Sequence, residues 1–265
     1  MTHPWTPADP GAAFTAIART PRLVVALDFD GTASPLVNDP MAARALPEVR
    51  RAVERLVGLP RTTVAYVSGR SLPDLREIAE HDDDSRITLA GSHGAQYWFP
   101  GEGEVDILAA EDDDDARAEL WAAAQPIIDQ YDGVELERKS FGMGVHGRPA
   151  TAHAEAAAFA EIDALVAELL PQWRRRQGNH ILEFSSRVEG KDTAIGVLRE
   201  RFDATGILFA GDDVTDEDAL RVLGAGDLGV RVGPGETAAA VRVQSPQEIG
   251  ALLGVLADER ALGQE

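Results

Sequence analysis

The feature that most constrains this chain is an alternation of short β-branched runs with amphipathic segments, broken once and then resumed. The run LVVAL at 23–27 reads as a strand, and PEVRRAVERLVG from Pro47 as a helix with Val49, Val53, Leu56 and Val57 on one face. TTVAYV at 62–67 is a second strand. SLPDLREIA follows as a helix with Ser71 as its N-cap, and RITLA at 86–90 is a third strand. Strands and helices alternating at this spacing predict a parallel sheet with crossover helices.

After Ala90 the pattern changes. GSHGAQYWFPGEGE is rich in glycine, and the acidic run EDDDD at 111–115 opens a helix reaching about Tyr131. The runs VELERK at 134–139 and GMGVHG at 142–147 precede an alanine-rich helix from about Thr151 to Leu170. QWRRRQ and HILEF come next, separated by the hairpin signal Gly178-Asn179. From Gly190 the first pattern returns: a helix in KDTAIGVLRERF, the strand GILFA at 206–210, a further helix, and the short strands GVRV and VRV. The expectation is an α/β core of residues 21–96 and 188–265, interrupted by a smaller α+β domain at 97–187. Residues 1–20 are expected to be a proline-rich lead-in. The acidic runs at 82–84 and 111–115 read as solvated charges at helix ends.

Composition narrows the function. The 45 acidic and 25 basic residues leave a net charge of −20, which repels nucleic acid and anionic lipid. An anionic substrate would therefore need a local cation or basic pocket. With no cysteine there is no disulfide, thiolate metal site or cysteine nucleophile. The opening MTHPWTPADPGAAF lacks a basic stretch followed by an apolar one, and no later run approaches a membrane span, so the protein is expected to be cytoplasmic.

In open parallel sheets ligands bind beyond the carboxyl ends of the strands. Here those ends carry Asp28-x-Asp30-Gly-Thr32, Ser68-Gly69-Arg70, Gly91-Ser-His93-Gly94 and Gly211-Asp212-Asp213. If the strands before Asp28 and Asp212 are neighbours, their carboxylates converge and repel, and a hard divalent cation would relieve them. Asp28 could then attack a phosphoryl group while Asp30 moves the proton. The same Asp-x-Asp could equally be a turn with its hydrogen bonds satisfied. Ser68 can donate to a phosphate oxygen. Lys191 opens a helix, where the dipole disfavours a cation, so it is either paired with an anion or a surface lysine in solvent. Lys139 and Arg148 could lie on a solvated strand face, Glu183 could form a cross-strand ion pair, and His93 could either brace its loop or face a phosphate.

These four segments resemble the motifs of the haloacid dehalogenase superfamily of phosphotransferases. More narrowly, LDFDGTASPL, VSGR, GSHGA, LERKSFGMGVHGR, HILEF followed by EGK, and GDDVTDEDAL resemble the trehalose-6-phosphate phosphatases, from about Leu23 to Val243. The resemblance implies a Rossmann-like core with an inserted cap that closes over the sugar. It implies a Mg²⁺-dependent hydrolysis of trehalose 6-phosphate through an aspartyl-phosphate, with Asp28 as nucleophile and Asp30 as acid/base. Asp28, the Asp30 carbonyl and Asp212 would hold Mg²⁺, with Asp213 and Asp216 behind them. Ser68, Gly69 and Lys191 would grip the phosphate. Lys139, Glu183, His146, Arg148, His93 and Arg70 would contact the substrate. Functional coupling to the synthase that makes trehalose 6-phosphate, and action as a monomer, are further expectations. Ala33 and Gly147 depart from the family pattern: a larger aliphatic residue and an aromatic are usual there. The alternatives are a capped phosphatase for sucrose 6-phosphate or mannosyl-3-phosphoglycerate, a non-catalytic regulatory partner of the synthase, and a receiver-like phospho-acceptor domain. The last is disfavoured by the long insert.

Overall fold

The computed structural model describes residues 2–105 and 114–263. In chain order its elements are β1 (His3–Pro4), α1 (Ala12–Ala18), β2 (Leu23–Leu27), α2 (Pro47–Gly58), β3 (Thr62–Val67), α3 (Leu72–Ile78), β4 (Thr88–Gly91), β5 (Gln96–Phe99) and β6 (Gly103–Val105). There follow α4 (Asp114–Ile128), β7 (Glu135–Lys139), β8 (Gly142–His146), α5 (Ala152–Leu169), β9 (Arg174–Gly178) and β10 (Ile181–Ser185). The chain then continues through α6 (Lys191–Arg201), β11 (Gly206–Gly211), α7 (Asp216–Arg221), β12 (Leu228–Val232), β13 (Val241–Val243) and α8 (Pro246–Leu262). It divides into two compact units, Met1–Ile107 with Glu189–Glu265, and Leu108–Val188.

The first unit is built on one sheet in the order β1-β13-β12-β11-β2-β3-β4-β5-β6, parallel from β1 to β4 and antiparallel beyond. All five residues of β2 are buried, as expected of a strand covered on both faces. Parallel pairing of β11 with β2 sets Ala210 opposite Leu27, so Asp28 and Asp212 emerge side by side at the carboxyl end. The helix α2 begins with Pro47 and buries Val49, Ala52, Val53 and Leu56 against the core that also takes in α8. Ser71 caps α3, its hydroxyl accepting from the Asp74 N–H.

Two expectations are corrected here, and one helix lies where the sequence reading named no element. Residues 1–20 are part of the fold: β1 pairs with β13, and Trp5, Phe14 and Ile17 are buried in the main core. The sheet continues through β5 and β6, so the boundary expected at 97 falls inside the first unit. The long helix α8 closes the chain and buries Ile249, Leu252, Leu253 and Leu256, although no helix was expected after VRV. Of the acidic runs, Asp82, Asp83 and Asp84 are exposed, as are Asp114 and Asp115 in the first turn of α4; 111–113 lie outside the described residues.

The second unit is an antiparallel sheet in the order β7-β8-β10-β9. Met143, Val145, Leu182 and Phe184 point to one face and pack with Leu120, Ala124 and Ile128 of α4 and Ala158, Phe159 and Ile162 of α5. By the two-residue period of a strand, Glu137, Lys139, His146 and Glu183 lie on the opposite face, with Gly142 and Gly144 between them. The β9–β10 loop is Asn179-His180, one residue later than the hairpin signal, with His180 at φ 60°. Among the described residues no helix is long and apolar enough to cross a membrane.

Candidate active site

Asp28 follows β2 directly, is 5% exposed, and accepts the N–H of Phe29 at 2.7 Å. Its Oδ1 lies 2.7 Å from Lys191 Nζ, and Lys191 also donates to Asp216 Oδ1 at 2.6 Å. Lys191 is buried at the start of α6, so the reading as a surface lysine is excluded. Burial alone would lower the pKa of its ammonium, but Asp216 and Asp28 outweigh that and hold it raised and charged.

Asp28, Asp212 and Asp216 each offer a carboxylate oxygen within 4.8 Å of the others. Burial first, then the charge of Asp216, pushes the Asp28 carboxyl well above its ordinary value against the pull of Lys191. Burial and Asp216 likewise push Asp212 up to about 7. Asp28 and Asp212 resist ionising, and with Asp216 they set three hard oxygen donors together, which fits a divalent cation. Asp216, expected as an outer support, stands in this group itself, because Gly211 leaves room for it. A Cβ on Gly211 would come within 2.2 Å of the Asp216 carboxyl carbon. Gly31 does the same for Asp212: its φ is +79°, and a Cβ there would lie 2.1 Å from Asp212 Oδ2. Asp213 is outside the acid group. Its carboxylate accepts from the Val214 N–H at 2.7 Å, and its own N–H donates to Asp216 Oδ2 at 2.9 Å.

Asp30 is set apart from the other acids. Its carboxylate takes both forks of Arg70, Nε at 2.6 Å and Nη2 at 2.7 Å. Arg70, expected among the sugar contacts, is thus engaged with Asp30. Ser68 is buried, and its hydroxyl accepts from the Arg70 N–H at 3.2 Å. His93 braces this loop. It adopts φ 57°, donates its N–H to the Ser68 carbonyl at 2.8 Å, and its ring sits 2.6 Å from where a Cβ on Gly69 would be.

In the second unit Lys139 Nζ lies between Glu183, to which it donates, and Glu137 at 3.4 Å. Glu137 in turn bonds His146 Nε2 at 2.7 Å. Burial opposes the charge on Lys139, but Glu183 and Glu137 raise its pKa. Burial likewise opposes the charge on Glu137, but the His146 hydrogen bond and Lys139 hold its carboxyl below the usual range. The ion pair considered for Glu183 is therefore present, and it is made with a residue two strands away. Arg148 is exposed in the turn after β8, outside this network. Sequence reasoning missed Glu137, although its place two residues before Lys139 puts both on one face of a strand. At Gly147 a Cβ would meet Glu155 Cγ at 2.5 Å, and Glu155 is held by His180 Nδ1 at 2.8 Å. The family's aromatic cannot stand there unless Glu155 moves.

Comparison with known proteins gives a consistent result. The family model described as Trehalose-phosphatase matches residues 26–247. The trehalose-6-phosphate phosphatase of Escherichia coli (strain K12) is 27% identical over 232 residues, covering 86% of this chain and 84% of that protein. A trehalose-phosphate phosphatase of Mycobacterium bovis (strain BCG / Pasteur 1173P2) is 31% identical over 265 residues, covering 90% of this chain and 62% of that one. Among solved structures, the C-terminal domain of the C. albicans trehalose-6-phosphate phosphatase superposes with a TM-score of 0.82 at 20% identity. That match covers 97% of this chain and 98% of the other, and at this identity it speaks to the fold.

Proposed function

The chain belongs to the trehalose-phosphatase family, and on that premise we propose how its residues divide the work of dephosphorylating trehalose 6-phosphate. It is a phosphatase that releases trehalose and inorganic phosphate. The observation that carries the mechanism is Lys191 buried between Asp28 and Asp216, with Asp212 completing the acid group.

Asp28 is the nucleophile. One of its carboxylate oxygens attacks phosphorus, the bond from phosphorus to the sugar oxygen breaks, and the leaving oxygen takes a proton from Asp30. Water then attacks the aspartyl-phosphate while Asp30 accepts its proton, and the bond from Asp28 to phosphorus breaks. Before it donates, Asp30 must exchange the guanidinium of Arg70 for a proton, so Arg70 sets the resting orientation of the acid/base. Lys191, fixed by two carboxylates, keeps its charge beside the nucleophile for the phosphoryl oxygens, and Ser68 and Gly69 supply donors on the other strand end. Asp28 and Asp212, with the carbonyl of Asp30 and with Asp216, would hold the divalent cation, which we take to be Mg²⁺. When bound it offsets the carboxylate charge and polarises the phosphoryl group. We assign sugar recognition to the polar face of the second unit, through Lys139, Glu183, Glu137 and His146. There, charged groups restrained by one another can exchange partners for hydroxyls. A cytoplasmic monomer coupled to the synthase completes the reading.

The test is phosphate release from trehalose 6-phosphate, sucrose 6-phosphate and mannosyl-3-phosphoglycerate, in MgCl₂ and in EDTA. Preference for trehalose 6-phosphate, lost in EDTA and restored by Mg²⁺, is expected. Preference for another sugar overturns the substrate assignment, and full activity in EDTA overturns the role of the metal.

A further inference from the structure

A buried ion pair flanks the loop that carries the acids. Arg231 stands on β12 opposite Gly211 of β11, and Glu217 lies in α7 immediately after Asp216. Both are nearly out of solvent, 8% and 5% exposed, with Arg231 Nη1 at 3.5 Å from Glu217 Oε1. The same Nη1 donates to the Asp213 carbonyl at 2.8 Å, while Nε and Nη2 donate to the Pro234 carbonyl at 3.3 and 3.2 Å. The other Glu217 oxygen accepts the N–H of Ala238 at 2.9 Å. The pair therefore ties the acid loop to the β12–β13 connection through three backbone groups, the Asp213 and Pro234 carbonyls and the Ala238 N–H.

We propose that Arg231 is a positioning residue for the catalytic centre, acting through the backbone of Asp213. The path is continuous. Arg231 holds the Asp213 carbonyl, which also accepts the Asp216 N–H at 3.2 Å. The Asp213 N–H orients Asp216 Oδ2, Asp216 Oδ1 orients Lys191, and Lys191 bonds Asp28. The loop has little apolar anchorage of its own, since Val214 at its tip is 61% exposed. A buried ion pair is a poor source of net stability compared with apolar side chains of similar volume. Placed here it specifies geometry: the Nε and Nη2 fork on the Pro234 carbonyl fixes the guanidinium plane, which aims Nη1 at the Asp213 carbonyl.

The inference rests on the phosphatase reading only for its kinetic readout; its binding readout stands without it. The variants are R231K and the double variant R231M/E217Q, which leaves no unpaired buried charge. For the double variant we expect a melting temperature within a few degrees of wild type. Its affinity for Mg²⁺, titrated into the metal-free protein by calorimetry, should fall tenfold or more, and its kcat on trehalose 6-phosphate 10- to 100-fold with KM little changed. R231K, which keeps the charge but has one ammonium where Arg231 divides its donors between the Asp213 and Pro234 carbonyls, should lose part of both, less than the double variant. A folded double variant with wild-type Mg²⁺ affinity and kcat overturns the proposal. If the double variant does not fold, R231K decides: a partial loss of both quantities supports the proposal, and wild-type values overturn it. Wild-type protein inactive on trehalose 6-phosphate would instead refute the substrate reading, leaving the Mg²⁺ isotherms to judge Arg231.

Discussion

Replacing Asp212 by Asn removes one charge from three carboxylates whose oxygens lie within 4.8 Å of one another. Its carboxyl is pushed from an ordinary 3.8 up to about 7, by burial first and then by Asp216. The sign follows from the raised value. Below pH 3.8 the group is protonated whether the chain is folded or not and costs nothing. Between 3.8 and about 7 the folded chain binds a proton that the unfolded chain has lost, so stability falls as pH rises, levelling off above about 7. At ~1.4 kcal/mol per unit, the full burden at pH 8 is ~4 kcal/mol, and residual solvent contact reduces it to ~2–4 kcal/mol. At pH 5 it is ~1–2 kcal/mol by the same reasoning. Asn keeps the shape and an oxygen for the long contact from Thr32 Oγ1 at 3.5 Å. In EDTA, D212N should therefore melt about 5–10 °C above wild type at pH 8, and only a few degrees above it at pH 5, taking about 2–4 °C per kcal/mol for a chain of this size. Mg²⁺ at ~100 times its dissociation constant adds ~2.7 kcal/mol to wild type and should add far less to D212N, narrowing or reversing the order. The assay is calorimetric or circular-dichroism melting at both pH values with EDTA and with MgCl₂. Equal melting temperatures at pH 8 in EDTA, or a gain independent of pH, would refute the account of the acid group.

Asp28→Asn should abolish phosphate release from trehalose 6-phosphate while the circular-dichroism spectrum stays native; residual turnover above a thousandth of wild type would rule out the covalent route. Lys139→Ala and Glu183→Ala should each lower kcat/KM on trehalose 6-phosphate at least tenfold and leave p-nitrophenyl phosphate within about threefold, since removing one charge unpairs the network without touching Asp28. Equal losses on both substrates would show that this face does not read sugar. Gly31→Ala places a Cβ 2.1 Å from Asp212 Oδ2 at φ +79°, so it should cost ~1–3 kcal/mol in stability and abolish Mg²⁺ binding by calorimetry. Unchanged binding would mean that Asp212 is not a ligand.

Much of this was legible because two signals are local. The strands β2 and β3 coincide with their apolar runs, and Ser71 caps its helix as its residue type predicts. The acids at the ends of β2 and β11 meet because parallel neighbours deliver their carboxyl ends to one edge. What escaped depends on distant partners. A two-residue strand such as β1 has no periodicity to read, and it exists because β13 offers it an edge. The helix α8 mixes Gly250 and Gly254 with its leucines, and Gly250 is there for close approach: a Cβ would meet Glu48 Cγ at 2.5 Å.

Asp216 shows most clearly where local reading stops. Five residues beyond Gly211, it was expected only as a support behind the metal ligands, on the strength of the resemblance. Instead it stands in the acid group itself, fully buried. Three conditions bring it there: a glycine that vacates the space, an N–H from Asp213 aimed at one oxygen, and Lys191 at the other. The first two come from the end of β11 and the loop leading to Asp216, and Lys191 comes from the start of α6, which only the fold brings to it. The same reasoning resolves the conflict between a chain of net charge −20 and an anionic substrate. The acids around Asp28 are offset locally, by Lys191 paired with Asp28 and Asp216 and by the divalent cation that the three carboxylates would hold. The charge that a phosphate meets is therefore set at this one edge of the sheet, whatever the sum over the surface.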